Sequence, residues 1–196
     1  GITREQNFIN RGINFGLNRF LPWRSLLNAN LNLSINHNSN FTTHKTNSIR
    51  IELNSNTTFK NFYNIYFGGS YEPLGEIDYY EARVPGRIFI RPTNQTMWTG
   101  VNSDRRKKIS FNFNMYAGTT GLISPTIGYN PYIGLTLSPN IRVNDKLSFN
   151  LSASYNQDDG DRGWVNFDHN DNIIIGLRFI KTQENIVSAR YLFRNN

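Results

Sequence analysis

The sequence predicts an all-β protein: an antiparallel transmembrane β-barrel in which residues 1–196 form part of one domain of about nine strands. Three observations lead there. The composition disfavours helices, the side chains alternate with a period of two, and the connections alternate between short and long. Thirty of the 196 residues are asparagine and 14% are aromatic. Asparagine competes with the helical backbone for hydrogen bonds, whereas Tyr, Phe, Ile and Thr suit a pleated surface.

The elements follow in chain order. Ile9, Arg11, Ile13, Phe15 and Leu17 alternate with Asn10, Gly12, Asn14, Gly16 and Asn18, giving one mostly apolar face and one small or polar face. Leu31, Leu33 and Ile35 repeat the pattern against Asn30, Asn32, Ser34 and Asn36, then Ile49, Ile51 and Leu53 against Arg50, Glu52 and Asn54. Tyr63, Ile65 and Phe67 face away from Asn64, Tyr66 and Gly68. After a long interruption, Ile109 to Tyr116 and Ile133 to Ser138 alternate again, and Leu147 to Asn156 is the cleanest strand of all. Ile173 to Phe179 and Val187 to Arg194 supply the eighth and ninth.

The connections differ in length. Phe20 to Trp23, Asn144 to Lys146 and Lys181 to Glu184 are expected as short turns, and about 72–108 and 157–172 as long polar loops. Barrels have short turns at one rim and long loops at the other, and that convention puts both long loops outside. The second face carries Asn, Ser, Thr and Gly, which suits a wet lumen better than the Lys and Glu of solvated strands. Tyr63, Tyr116, Tyr129, Tyr132, Tyr155, Tyr191, Trp23, Trp98 and Trp164 are expected near strand ends, at head-group depth. Such a barrel is expected to be either a pore or transport barrel or a plugged membrane anchor or complex subunit, and a soluble β-sandwich that binds carbohydrate is the alternative, because its strands alternate too.

Composition also excludes. There is no cysteine, so disulfides, thiol nucleophiles and cysteine-ligated metals are absent. No apolar stretch approaches the roughly 20 residues of a membrane helix, and Gly1 to Gln6 lacks the apolar core of a signal peptide. An odd number of strands, and an Arg194-Asn195-Asn196 unlike a barrel's last strand, lead us to expect a segment of a larger barrel. The +7 charge is dispersed apart from Arg105 to Lys108, a cluster suited to lipid phosphates at a membrane rim, and nucleic acid is not an expected partner. No Ser-His-Asp arrangement or phosphate loop is present, so no cofactor and no catalysis are expected here.

The motif-bearing stretch is Asp78-Tyr79-Tyr80-Glu81-Ala82-Arg83-Val84-Pro85-Gly86-Arg87, followed by Phe89-Ile90-Arg91-Pro92 and Ser103-Asp104-Arg105-Arg106-Lys107-Lys108. With Asp145-Lys146-Leu147, Gly160 to Gly163, and Thr182, Asn185, Tyr191 and Phe193, it resembles the C-terminal barrel region of the DUF5916 family. Ala82 stands where that pattern has proline. The resemblance implies a Bacteroidetes-type outer-membrane protein linked to surface carbohydrate processes, with an N-terminal family 9-like carbohydrate-binding module outside this chain. Its implied partners are outer-membrane lipid and lipopolysaccharide, other outer-membrane or secretion and assembly proteins, and carbohydrate.

Within the stretch, Asp78, Tyr79, Tyr80, Glu81, Arg83, Gly86, Arg87, Arg91, Pro92, Asp104, Arg106 and Lys107 are the candidate loop or plug residues. They suit either a site for an anionic or sugar ligand or a salt-bridged loop that closes the lumen, and the second is preferred because paired opposite charges satisfy one another first. Glu81 and Asp104 as a glycosidase pair require carboxylates about 5–10 Å apart, which the sequence gives no reason to expect. Gln157-Asp158-Asp159-Gly160-Asp161, with Asp168 and Asp171, lacks calcium-loop spacing and is expected to be an exposed acidic loop. His37, His44 and His169 are too scattered for a metal and are expected at the surface.

Overall fold

A computed structural model describes residues 7–79, 81–121, 130–170 and 172–193. Their strands are β1 (Phe8–Arg19), β2 (Leu26–Asn40), β3 (Thr46–Phe59), β4 (Asn64–Glu72), β5 (Glu76–Asp78), β6 (Phe89–Arg91), β7 (Asn94–Asn102), β8 (Ile109–Thr120), β9 (Asn130–Arg142), β10 (Leu147–Phe167) and β11 (Ile173–Tyr191). They form one antiparallel sheet, ordered β1-β2-β3-β4-β7-β8-β9-β10-β11, with the β5–β6 hairpin off this path. Among the described residues there is no helix, and the sheet is not closed: β1 pairs only with β2, and β11 only with β10.

Register carries each face across the sheet, because directly opposed residues share a face. Ile13 lies opposite Ile35, Ile35 opposite Ile51 and Ile51 opposite Tyr71. Further along, Val101 meets Phe113, Phe113 meets Leu137, Leu137 meets Ala153, and Leu151 meets Val187. Among the described residues nothing covers this apolar face: Phe15 is 60% exposed, Leu17 71%, Met97 74% and Val187 72%. Among the described residues the only buried hydrophobic residue is Ala82.

The opposite face is held by polar and aromatic contacts instead of an apolar core. Asn64 Nδ2 donates to Asn56 Oδ1 at 2.8 Å, Asn102 Nδ2 donates to Asn64 Oδ1 at 3.3 Å, and Asn112 in turn donates to Asn102, so one amide chain runs over β3, β4, β7 and β8. Four aromatic rings lie on cross-strand glycines: Trp98 on Gly68, Tyr66 on Gly100, Tyr116 on Gly134 and Tyr132 on Gly118. A Cβ at any of these glycines would enter the ring. The absent side chain is what lets each ring lie flat on the backbone, pinning register.

Several expectations change. β7 runs through the expected loop 72–108, and β10 continues to Phe167 through the expected loop 157–172. Lys181 to Glu184 is not a turn: it lies inside β11, opposite Gln157 to Ser154. Backbone pairing to β10 satisfies this segment whatever its side chains, and polar residues are ordinary on an edge strand. The predicted eighth and ninth strands are therefore one, and the nine strands of the main path are a different nine. Tyr116, Tyr132 and Trp98 lie on the polar face over glycines, not in a rim belt, while Tyr129 falls outside the described residues.

Candidate functional site

Strand direction divides the connections between two ends. Residues 20–25, 60–63, 103–108 and 143–146 lie at one end, which we call the short-turn end. Residues 41–45, 73–79, 81–93, 168–170 and 172 lie at the other, and among the described residues the insert between β4 and β7 is its largest feature. The candidate residues therefore do not form one cluster. Asp104, Arg106 and Lys107 are separated from Asp78 to Pro92 by β7, whose nine residues span about 30 Å at ~3.3 Å each. Glu81 and Asp104 lie at opposite ends, so they cannot act as a glycosidase pair.

The insert begins where β4 ends. Gly75, at φ +65°, turns the chain against Arg91 and Pro92, where a Cβ would collide with backbone. β5 then continues alongside β3, with Glu76 opposite Ser48, and β6 returns with Ile90 opposite Ile77. At the tip, Pro85 and Gly86, with φ +80° at Gly86 and an Arg87 N–H to Val84 carbonyl bond of 3.1 Å, form a turn of the Pro-Gly kind. Arg87 and Gly86 are exposed there.

Arg91 organises the carboxylates. Its guanidinium donates to Asp78 Oδ2 at 2.8 and 3.2 Å, and lies 3.6 Å from Glu81 and 3.9 Å from Glu76. Asp78 Oδ1 also accepts the Glu81 N–H at 3.0 Å, closing a local turn. Tyr79 donates its hydroxyl to Asn47 Oδ1 at 3.2 Å, tying the insert to β3. Tyr80 lies outside the described residues.

The decisive contacts are long-range. Glu81 Oε1 accepts the backbone N–H of Trp164 at 2.7 Å, and the Arg83 guanidinium stacks 4.3 Å from the Trp164 ring centre. Trp164 belongs to β10, four strands away from β4 in sheet order, so the tip reaches over the ends of β7, β8 and β9. Ala82, in place of the expected proline, is 1% exposed beneath this crossing. A cavity of about 620 Å³ lies between insert and sheet, lined by Asp78, Phe89, Arg91 and Pro92 on one side and by Tyr116, Tyr132 and Asp158 of the polar face on the other.

Trp164, Asp161 and Arg178 are not among the loop or plug candidates of the sequence, which expects Trp164 at head-group depth and Asp161 in an exposed acidic loop. Asp161 and Arg178 pair at 2.6 Å across β10 and β11 beside Gly163. The bulges at Asp159/Asp161 and Trp164/Asn166 aim these side chains, and Gly160 to Gly163 was the available sign of them. The expected acidic loop is accordingly strand for Gln157 to Asp161. Asp168 instead caps a turn, accepting the Asn172 side-chain amide at 2.9 Å and the backbone N–H groups of Asn172 and Asn170 at 2.8 Å each, which holds its carboxyl below the ordinary value. Among the described residues no group of three or more His, Asp or Glu is placed to hold a metal; His37 shares a 3.0 Å hydrogen bond with Thr46.

The family model described as a domain of unknown function, DUF5916, matches residues 1–196. The chain belongs to the DUF5916 family. No curated protein and no solved structure matches it. In this DUF5916 chain, Asp78 and Glu81 of the Asp-Tyr-Tyr-Glu motif and Arg91 of the Arg-Pro motif form a single interacting unit in the insert, and the Ser-Asp-Arg-Arg-Lys-Lys motif forms a second unit at the far end. There, Asp104 accepts from Arg106 through both carboxylate oxygens at 2.9 Å and through the Arg106 N–H at 3.0 Å, which pulls its carboxyl down to about 2. Ser103 Oγ accepts the Phe111 N–H at 2.7 Å, and the Arg106 guanidinium stacks 3.4 Å from the Phe62 ring centre.

Proposed function

We propose that this chain is part of the wall of a bacterial outer-membrane β-barrel whose lumen is closed by residues 73–93, making it a plugged anchor or complex subunit. The observation that carries this reading is a mostly apolar face shared in register from β1 to β11, interrupted by Gln95 and Thr99 of β7 and by Lys181, Gln183 and Asn185 of β11, which no described residue covers. In water such a surface, far larger than the few hundred Å² a monomer exposes, would be aggregation-prone; in lipid it is the stable side. A soluble sandwich would bury it against a second sheet, and the described strands form one sheet. Strands of nine residues or more in the main path match the ~9–11 needed to cross a bilayer.

Closure is the insert's part. It crosses the polar face and docks on β10 through Glu81 and Arg83. The open edges of β1 and β11 would be paired by further strands of the same barrel, since unpaired edges cannot stay in hydrocarbon. Rings and carboxylates lining the remaining cavity are groups that bind sugar, in keeping with a link to surface carbohydrate processes. This reading assigns no catalysis to the segment.

The test is planar-bilayer recording on the full-length protein, preceded by gel comparison of heated and unheated samples. Intact protein is expected to shift with heat and to conduct little, and deletion of residues 79–88 to open discrete conductance steps. Large steps from the intact protein would make it an open pore. A species that stays in solution without detergent would overturn the membrane reading.

A further inference from the structure

The short-turn end carries Arg19, Arg24, Lys60, Arg105, Arg106, Lys107, Lys108, Arg142, Lys146 and Arg190 against two acids, Asp104 and Asp145. Among the described residues its one ion pair is Arg106 with Asp104. Like charges gathered without counter-ions repel one another, so this end is stabilised by whatever anion meets it.

The turns 60–63 and 103–108 enclose a cavity of about 550 Å³ between Lys60, Tyr63, Arg106, Lys107, Ile109 and Phe111. Its walls are of two kinds. Tyr63, Ile109 and Phe111 belong to the apolar face: Phe111 lies opposite Pro139 and Ile109 opposite Ile141, and the Tyr63 and Phe111 rings meet edge-on at 6.3 Å. Lys60 and Lys107 stand at the level of the turns, while Arg106 is already engaged by Asp104 and Phe62. Asp104 also lines the cavity and attracts Lys107 at longer range, but its direct ion pair is with Arg106, so the apolar wall ends in two ammonium groups outside any ion pair, which matches an amphiphile with hydrocarbon below and phosphate above.

Resting on the membrane reading, we propose that this notch binds the head group of an anionic phospholipid, its phosphate between Lys60 and Lys107 and an acyl chain along Tyr63, Ile109 and Phe111. The short turns of such barrels face the periplasm, where the leaflet is phospholipid, and this selects phospholipid over lipopolysaccharide as the occupant. Polybasic segments at a membrane surface attract anionic lipid in this way, and Arg106 keeps the turn in shape rather than holding the lipid.

The experiment uses full-length protein in phosphatidylcholine vesicles, with insertion checked by flotation and by the heat-dependent gel shift. Spin-labelled phosphatidylglycerol and phosphatidylcholine then report how strongly each lipid is immobilised at the protein. Wild type is expected to prefer the anionic label several-fold, and Lys60→Gln with Lys107→Gln to reduce that preference to near unity while keeping the gel shift. Lys45→Gln with Arg87→Gln, at the other end, leaves the preference intact. Equal immobilisation of both labels by wild type, an unchanged preference in the double variant, or displacement of the label from the notch by lipid A overturns the site alone. Failure to float overturns the membrane reading and the site with it.

Discussion

The two ends of the sheet solve opposite electrostatic problems. At the insert end, acids and bases are interleaved and pair internally: Arg50 with Glu52 and Glu72 at 3.0 Å each, Arg91 with Asp78, Arg178 with Asp161. At the short-turn end ten bases stand against two acids, Asp104 and Asp145, and among the described residues a single pair forms. Internal pairing makes a folded element that needs no partner, whereas unpaired charge makes a surface that seeks one. The same chain thus carries one end whose charges pair among themselves and one where bases outnumber acids, and the difference lies in where the carboxylates fall.

The largest expected effect is at the hinge. Gly75→Ala would place a Cβ against the Arg91–Pro92 backbone at positive φ, and strain plus overpacking should destabilise the docked insert by about 2–4 kcal/mol. Hydrogen exchange would then show loss of protection in residues 76–91, with β1 to β3 unchanged; loss across the whole sheet would mean the insert is not a separate unit. Next is Arg91→Leu. Removing the cation shared by three carboxylates should cost about 1–2 kcal/mol, the low side for charged hydrogen bonds because the guanidinium is about one-third exposed. Trypsin should then cut at Arg83 and Arg87 roughly tenfold faster or more, and an unchanged cutting rate would show that Glu81 and Arg83 dock the insert unaided.

At the short-turn end the expected effects are smaller and depend on pH and salt. Asp104 is held at about 2 against an ordinary 3.8, so its stabilisation is present above about pH 4 and is lost as pH falls through 2. Protection of the Arg106 and Lys107 amides should fade over that window, and Asp104→Asn should remove the dependence. Smallest of all, Lys107→Gln should change unfolding by less than about 0.5 kcal/mol. One molar salt, with a Debye length of ~3 Å, should weaken anionic-vesicle binding there while leaving insert protection in place. Salt-sensitive loss of the insert would erase the contrast between the ends.

Much of this was legible without coordinates, because alternation is a local property. Face assignment needs only the period of two, and Leu147 to Asn156 shows it as plainly in the sequence as in β10. β7 was not legible. Gln95 and Thr99 stand on its apolar face beside Met97 and Val101, so the alternation dissolves although the backbone pairs fully with β4 and β8. β11 failed similarly at Lys181 to Glu184, where backbone hydrogen bonds override side-chain polarity. Asparagine in turns was informative: Asn144 Oδ1 accepts from Lys146 and Leu147 at 2.9 Å each, as an amide in a tight turn should.

The sequence by itself determined the β class, the two faces, the charged motifs and the family, since each depends on neighbours within a few residues or on a pattern read in order. Only the tertiary structure decided that the motifs divide between two ends, that Glu81 meets Trp164 across 83 residues of chain, and that four rings lie on four glycines. Those outcomes depend on register and on strand direction. Adding one strand, β7, reverses which end a following loop occupies, and no local periodicity reports a strand whose own side chains do not alternate.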